Sequence, residues 1–169
     1  MIIEQESPNH YEAVYKLIKI AFENAEHSDG NEHKLTEKLR NSLSFVPELS
    51  LIAKIESQII GHIMFTISKI NGKEILTLAP VSVLPNYQNQ GVGSALIKEG
   101  LKKAKYLGFI GVTVVGNPEY YKRFGFEKAS KWKILSPFEI EEKFFMATEL
   151  IPHTLIEGTL EYAAEFFEV

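Results

Sequence analysis

The run Leu78-Ala79-Pro80-Val81-Ser82-Val83-Leu84-Pro85-Asn86-Tyr87-Gln88-Asn89-Gln90-Gly91-Val92-Gly93-Ser94-Ala95-Leu96 carries more structural instruction than any other part of the chain. An apolar strand leads into a polar loop with two glycines, and the loop opens a helix. The first turn of a helix has N–H groups without intrahelical acceptors and the positive end of the macrodipole. Gly91 and Gly93 remove the side chains that would keep a phosphate away from those donors, and Ser94 adds a hydroxyl. The loop therefore reads as a pyrophosphate cradle. It lacks the Gly-Lys-Ser/Thr ending of a Walker loop. It also lacks the third small residue of a dinucleotide fingerprint, because Leu96 stands there, and no acidic residue follows at the expected distance.

Pro80 adds a second constraint. A proline inside a strand cannot donate to a ladder, so it marks an edge, a bulge or a bend. Backbone groups from Val81 to Val83 are then free to pair with an extended, amide-bearing ligand as if it were a strand. Pantetheine has two amides and runs out from a pyrophosphate, so the two features together point to coenzyme A.

Working outward, Ser7-Pro8 is a helix-start signal. Val14, Leu17, Ile18, Ala21 and Phe22 follow at helical spacing. Residues 26–32 form a polar loop, and Leu35, Leu39 and Leu43 mark a second short helix. Strands are expected over Leu49–Ile55, Gln58–Ile70 and Ile75–Val83, with Asn71-Gly72 as a hairpin turn. The helix after the glycine loop is expected over Ser94–Leu107. Phe109–Val115 is apolar and β-branched, as in a strand covered on both faces. Pro118 opens a short helix that Gly125 ends, and strands are expected near Trp132–Leu135 and Phe144–Leu150. The order predicts a mixed α/β domain over residues 1–150. Residues 151–169 form a C-terminal extension, docked on that domain or on a second copy of the chain in a homodimer.

Composition narrows the function classes. The chain has 169 residues, 45% hydrophobic and 24% charged, which suits one globular domain with its own core. It has no cysteine, which excludes disulfides, thiolate metal sites and a cysteine nucleophile. Eighteen Lys and Arg against 22 Asp and Glu give a net charge of −4, so nucleic acid is not an expected partner. The start of the chain does not read as a signal peptide, and the apolar run at Phe109–Val115 is too short to span a bilayer. No membrane association and a cytoplasmic location are expected, and no metal-ligand spacing is present.

Gln88-Asn89-Gln90-Gly91-Val92-Gly93 resembles the Gln/Arg-x-x-Gly-x-Gly/Ala motif of the GNAT superfamily of acetyl-CoA-dependent N-acetyltransferases. Val81-Ser82-Val83-Leu84-Pro85 is similar to that family's preceding strand, and Tyr120-Tyr121-Lys122-Arg123-Phe124-Gly125-Phe126 to its later Tyr-x-x-x-Gly-Phe element. The order of elements agrees from about Ile3 to Leu150. The segment from Gly116 to Phe126 and the tail with Glu157-Gly158 and Tyr162 look like a branch of bacterial predicted acetyltransferases.

The resemblance implies a twisted, mostly antiparallel sheet, splayed at its fourth strand, with helices on both faces. It implies transfer of an acetyl group from acetyl-CoA to a primary amine of a small molecule or peptide, by direct attack. Val81, Ser82 and Val83 would hold pantetheine, with the Val83 N–H facing the thioester carbonyl. Gln88, Asn89, Gln90, Gly91, Val92, Gly93 and Ser94 would hold the pyrophosphate. Asn117 would take a minor cofactor role, and Tyr121 would protonate the leaving thiolate. The basic residues Lys98, Lys102, Lys103 and Lys105 form either a solvated helix face or a contact for the nucleotide. His27 and His33 flank the loop that would border the acceptor.

One departure stands out. Ile75–Val83 contains no Glu or Asp, where many relatives carry a general base. Glu74, Glu119, His62, or a water held by Thr77 or Ser82 remain candidates. The missing carboxylate keeps a second function open, an acyl-CoA-binding sensor without turnover.

Overall fold

The computed structural model describes every residue except His27 and Val169. Strands β1 (Ile2–Gln5), β2 (Phe45–Ile55), β3 (Gln58–Ile70) and β4 (Lys73–Val83) form an antiparallel meander. The β3–β4 hairpin turns at Asn71 (φ 50°) and Gly72 (φ 81°), the paired positive φ values that an Asn-Gly turn favours. β5 (Gly111–Val115) then pairs with β4 in parallel, and β8 (Phe145–Glu149) and the short β6 (Glu127–Lys128) continue the sheet antiparallel. The order is β1-β2-β3-β4-β5-β8-β6.

Alternation along the strands divides the core between the two faces. Leu51, Ala53, Ile63, Phe65, Leu76 and Leu78 pack against Val92, Leu96, Ile97 and Ala104 of α3 (Val92–Tyr106). On the opposite face Ile52 meets Val14, Leu17 and Ile18 of α1 (Tyr11–Phe22), and Met64 meets Leu39 of α2 (Glu32–Arg40). These side chains are fully or almost fully buried. The apolar stripe of each helix, not its intrinsic propensity, fixes where it lies.

The parallel pairing of β4 with β5 covers only Leu76–Val112 and Thr77–Thr113. Beyond it the strands part. At that point Ala79 and Pro80 stand opposite the single residue Met64, a bulge between the rungs Phe65–Leu78 and Ile63–Val81. A bulge turns the strand away from its neighbour, so the parting follows from Pro80. No helix among the described residues is long and apolar enough to cross a membrane.

The later part of the chain differs from expectation. In place of a strand at Trp132–Leu135 there is a 3-10 turn, Ala129–Trp132, then Lys133 in the left-handed region, then the two-residue β7 (Ile134–Leu135). A non-glycine residue at φ 58° breaks an extended run. The tail supplies an unexpected strand, β9 (Gly158–Glu161), which pairs with β7 and with Lys69 and Ile70 of β3. β2 leaves that edge open because its register with β3 ends at Phe45–Thr66. Leu160 is fully buried against Ile70 and Ile75.

Candidate active site

Two cavities open on either side of the parted strands. The larger, about 550 Å3, is lined by Val81, Val83, Tyr87, Gln88, Asn89, Gly91, Val92, Gly93, Ser94, Tyr120 and Arg123. Leu84 N–H donates to Ile60 O at 2.9 Å, so Leu84 turns its backbone toward β3. Antiparallel alternation then turns the backbone groups of Val81 and Val83 the other way, into the gap. The Gln88 Nε2 donates to Val83 O at 3.0 Å and ties the loop to the strand end.

The loop itself leaves a row of amides open. Asn89 (φ 61°) and Gly91 (φ 85°) both adopt left-handed backbone, and Gly91 caps α3. Among the described residues no backbone acceptor takes the amides of Asn89 to Ser94; the first bond of the turn is Ala95 N–H to Gly91 O at 3.0 Å. Successive free amides at a helix start form an anion-binding concavity. A side chain at Gly91 would project into open space, whereas a Cβ at Gly93 would lie 2.9 Å from the Tyr120 hydroxyl. Arg123 is the one charged residue lining the cavity. Its guanidinium lies 4.4 Å from the Tyr120 ring centroid, and its Nε donates to Tyr120 O at 3.2 Å.

Among the expected cofactor residues, Val81, Val83, Gln88, Asn89, Gly91, Val92, Gly93 and Ser94 meet at this cavity, and Ser82, Gln90 and Asn117 do not. Ser82 turns its side chain to the other face of the sheet, where it is buried and its hydroxyl has no partner among the described residues. Gln90 donates to Asn86 O, outside the lining. Asn117 caps the short helix α4 (Pro118–Tyr121), its Oδ1 accepting from Glu119 N–H at 2.9 Å.

Tyr121, expected to protonate the leaving thiolate, sits back from the cavities. It is 7% exposed, stacked edge-on against Tyr120 and Phe126, and lines neither cavity. Burial, with the nearby Tyr120, pushes its phenol well above the usual tyrosine range, which makes it a weaker proton donor than its residue type suggests. Tyr120 and Arg123, three apart on one face of the turn, line the larger cavity instead, and Arg123 is the one that sequence reasoning passed over. The i, i+3 spacing was the available signal.

The base candidates scatter. Glu74 is exposed near the hairpin, and Glu119 is exposed and paired with Lys122 at 2.6 Å. His33 is buried edge-on to Tyr15, away from both cavities, and His27 lies outside the described residues. The four lysines of α3 line neither cavity. His62 is fully buried within an ionic cluster on the far face. There Arg40 grips Glu6 through Nη2 (2.6 Å) and Nε (3.1 Å), Ser50 Oγ donates to Glu6 at 2.7 Å, and His62 Nε2 lies 3.5 Å away. Burial opposes the Glu6 charge, but bonds from His62 and Arg40 outweigh it and hold the carboxyl at about 2. Burial pushes the His62 imidazolium down, so His62 is neutral and Arg40 supplies the charge.

The second cavity, about 200 Å3, is lined by Thr77, Leu78, Ala79, Val115, Phe138, Tyr162 and Phe166. It sits where β4 and β5 separate. Thr77 Oγ is engaged by Ser68 Oγ and lies 3.4 Å from Thr113 Oγ.

A family model, "Acetyltransferase (GNAT) domain", matches residues 47–128, the span from β2 through β6. The uncharacterized N-acetyltransferase YhbS of Escherichia coli is 31% identical over 171 residues, covering 98% of both chains. This chain belongs to the GNAT acetyltransferase family. A second uncharacterized N-acetyltransferase of that organism, YjhQ, is 37% identical over 117 residues, which span 66% of this chain and 65% of YjhQ. Among solved structures, a GNAT family acetyltransferase of Brucella melitensis in complex with acetyl-CoA superposes with a TM-score of 0.83. It has 30% identity over 98% of this chain and 97% of its own. The YhbS structure in complex with CoA superposes with a TM-score of 0.89, at 27% identity over 98% and 91%. The GNAT fold accounts for the mostly antiparallel sheet with its parallel β4–β5 pair.

Proposed function

We propose that the protein transfers an acetyl group from acetyl-CoA to an amine by direct attack. The observation that carries this reading is the run of unpartnered amides from Asn89 to Ser94 beside the gap between β4 and β5. The pyrophosphate would take those amides and the Ser94 hydroxyl, with Arg123 adding charge and Tyr120 a hydroxyl. The two pantetheine amides would pair with Val81 and Val83, and the Val83 N–H would stabilise the developing oxyanion. The amine lone pair attacks the thioester carbon, the C–S bond breaks, and its electron pair stays on sulfur. The proton lost by nitrogen is the one that sulfur gains.

Calorimetric titration with acetyl-CoA, followed by a thiol-release assay across an amine panel, tests the reading. Binding should be lost in Gly91→Glu, which puts a carboxylate among the amides. Retained affinity in that variant would show that the cradle lies elsewhere. No residue lining either cavity is Asp, Glu or His, which supports a second reading, an acyl-CoA sensor without turnover. Tight binding with no thiol release for any amine would favour it.

A further inference from the structure

Resting on that reading, we propose that the acceptor is an aromatic, weakly basic amine, taken into the cavity walled by Phe138, Tyr162 and Phe166. The two cavities flank one parting of strands. A ligand arm lying along Val81 and Val83 points its end past Ala79 and Val115, which belong to the second cavity. Whatever meets the thioester therefore approaches through that second space.

Its chemistry is one-sided. The rings of Phe138 and Tyr162 lie 5.2 Å apart by centroid, and those of Tyr162 and Phe166 5.1 Å apart, a continuous aromatic wall. Val115, Leu78 and Ala79 complete it, and no lining residue is charged. The one hydroxyl at its floor, on Thr77, is already engaged. Burial holds the Tyr162 phenol protonated, at about 12. The acid in the adjoining depression behind Phe138 is Glu142, which is held by Ser130 Oγ at 2.7 Å. An apolar cavity of roughly 150 Å3 suffices for a benzene ring.

These walls decide between amine classes. An alkylamine with a pKa near that of lysine is neutral in only roughly one molecule in 10^3 to 10^4 at neutral pH. A site for it needs a carboxylate to bind the cation and a base to take its proton, and neither lines these cavities. An arylamine spreads its lone pair into the ring, arrives neutral, and matches the wall by stacking. Its attack forms the N–C bond and breaks C–S, and nitrogen's proton ends on sulfur, so the exchange balances without an outside base.

The test is thiol release from acetyl-CoA with 4-methoxyaniline, phenethylamine, spermidine and a lysine-containing peptide. The arylamine should exceed spermidine and the peptide by about 10-fold or more in kcat/KM. Phe138→Leu and Phe166→Leu should each raise its KM roughly 2- to 10-fold, the worth of an aromatic pair, with acetyl-CoA affinity unchanged by calorimetry. Phe138 is 40% exposed, so its leucine variant keeps the fold. Preference for the cationic amines, or an unchanged KM in both variants, would each overturn the proposal. Failure of acetyl-CoA itself to bind would instead bring down the transferase reading on which it rests.

Discussion

Arg40→Met isolates the buried charge of Glu6. The Glu6 side chain is 0% exposed and that of Arg40 5%, and the pair is bidentate. Removing the guanidinium leaves a carboxylate facing a serine hydroxyl and a neutral imidazole. Stranding a buried charge in this way costs about 3–5 kcal/mol. For a chain of this size that lowers Tm by roughly 6–20 °C. Glu6→Gln on the same background should recover most of the loss, because a neutral amide needs no cation. In the wild type, Glu6 titrates at about 2 when folded against 4.5 when free. Its contribution is therefore complete above pH 4.5 and lost as pH falls toward 2, and about 3 kcal/mol is at stake. His62, held below 6.5, also costs stability as pH falls. In Arg40→Met the sign reverses: without Arg40, protonating Glu6 or His62 relieves the stranded charge. Urea denaturation at neutral and mildly acidic pH should show the gap between variant and wild type narrowing on acidification. A loss under about 1 kcal/mol, a double variant no better than the single one, or a gap that widens in acid would refute the argument.

Three further outcomes are expected. Arg123→Ala should weaken coenzyme A binding roughly 10- to 100-fold, as loss of a charge-assisted bond does, and calorimetry at two salt concentrations checks it. Tyr121→Phe should lower kcat by less than about 10-fold, against the 10^2–10^4 of a true general acid, since its phenol is buried and hard to ionise; steady-state kinetics distinguishes the two ranges. Gly100→Ala, which in an open helix would be favourable, should destabilise by about 1–3 kcal/mol, because the new methyl collides with the fully buried Phe65 ring; denaturant unfolding reads this directly.

Local chemistry decided what could be read from the chain alone. The Asn71-Gly72 turn, the Pro80 break and the glycine loop each depend on a few adjacent residues, so their sequence signals were complete. β9 was invisible because a four-residue strand has no periodicity to speak of, and its partners Lys69 and Ile70 lie far back in the chain. Trp132–Leu135 looked extended by composition, but nothing local announces the left-handed Lys133. Tyr120 and Tyr121 are neighbours of one type, and only the packing of α4 decides which faces the cleft. The Glu6–Arg40–His62 cluster joins three separate segments, so no single stretch of sequence could report it.

The seam between β3 and β9 has a bearing on biogenesis. As the polypeptide leaves the ribosome, the end of β3 emerges with one flank uncovered, and its mate at Leu160 is translated only much later. Until then Ile70 and Ile75 belong to an adhesive margin open to other nascent chains. Tyr162 and Phe166, which wall the second cavity, follow Leu160 within six residues. The segment that covers this margin and the side chains that wall the second cavity therefore arrive together.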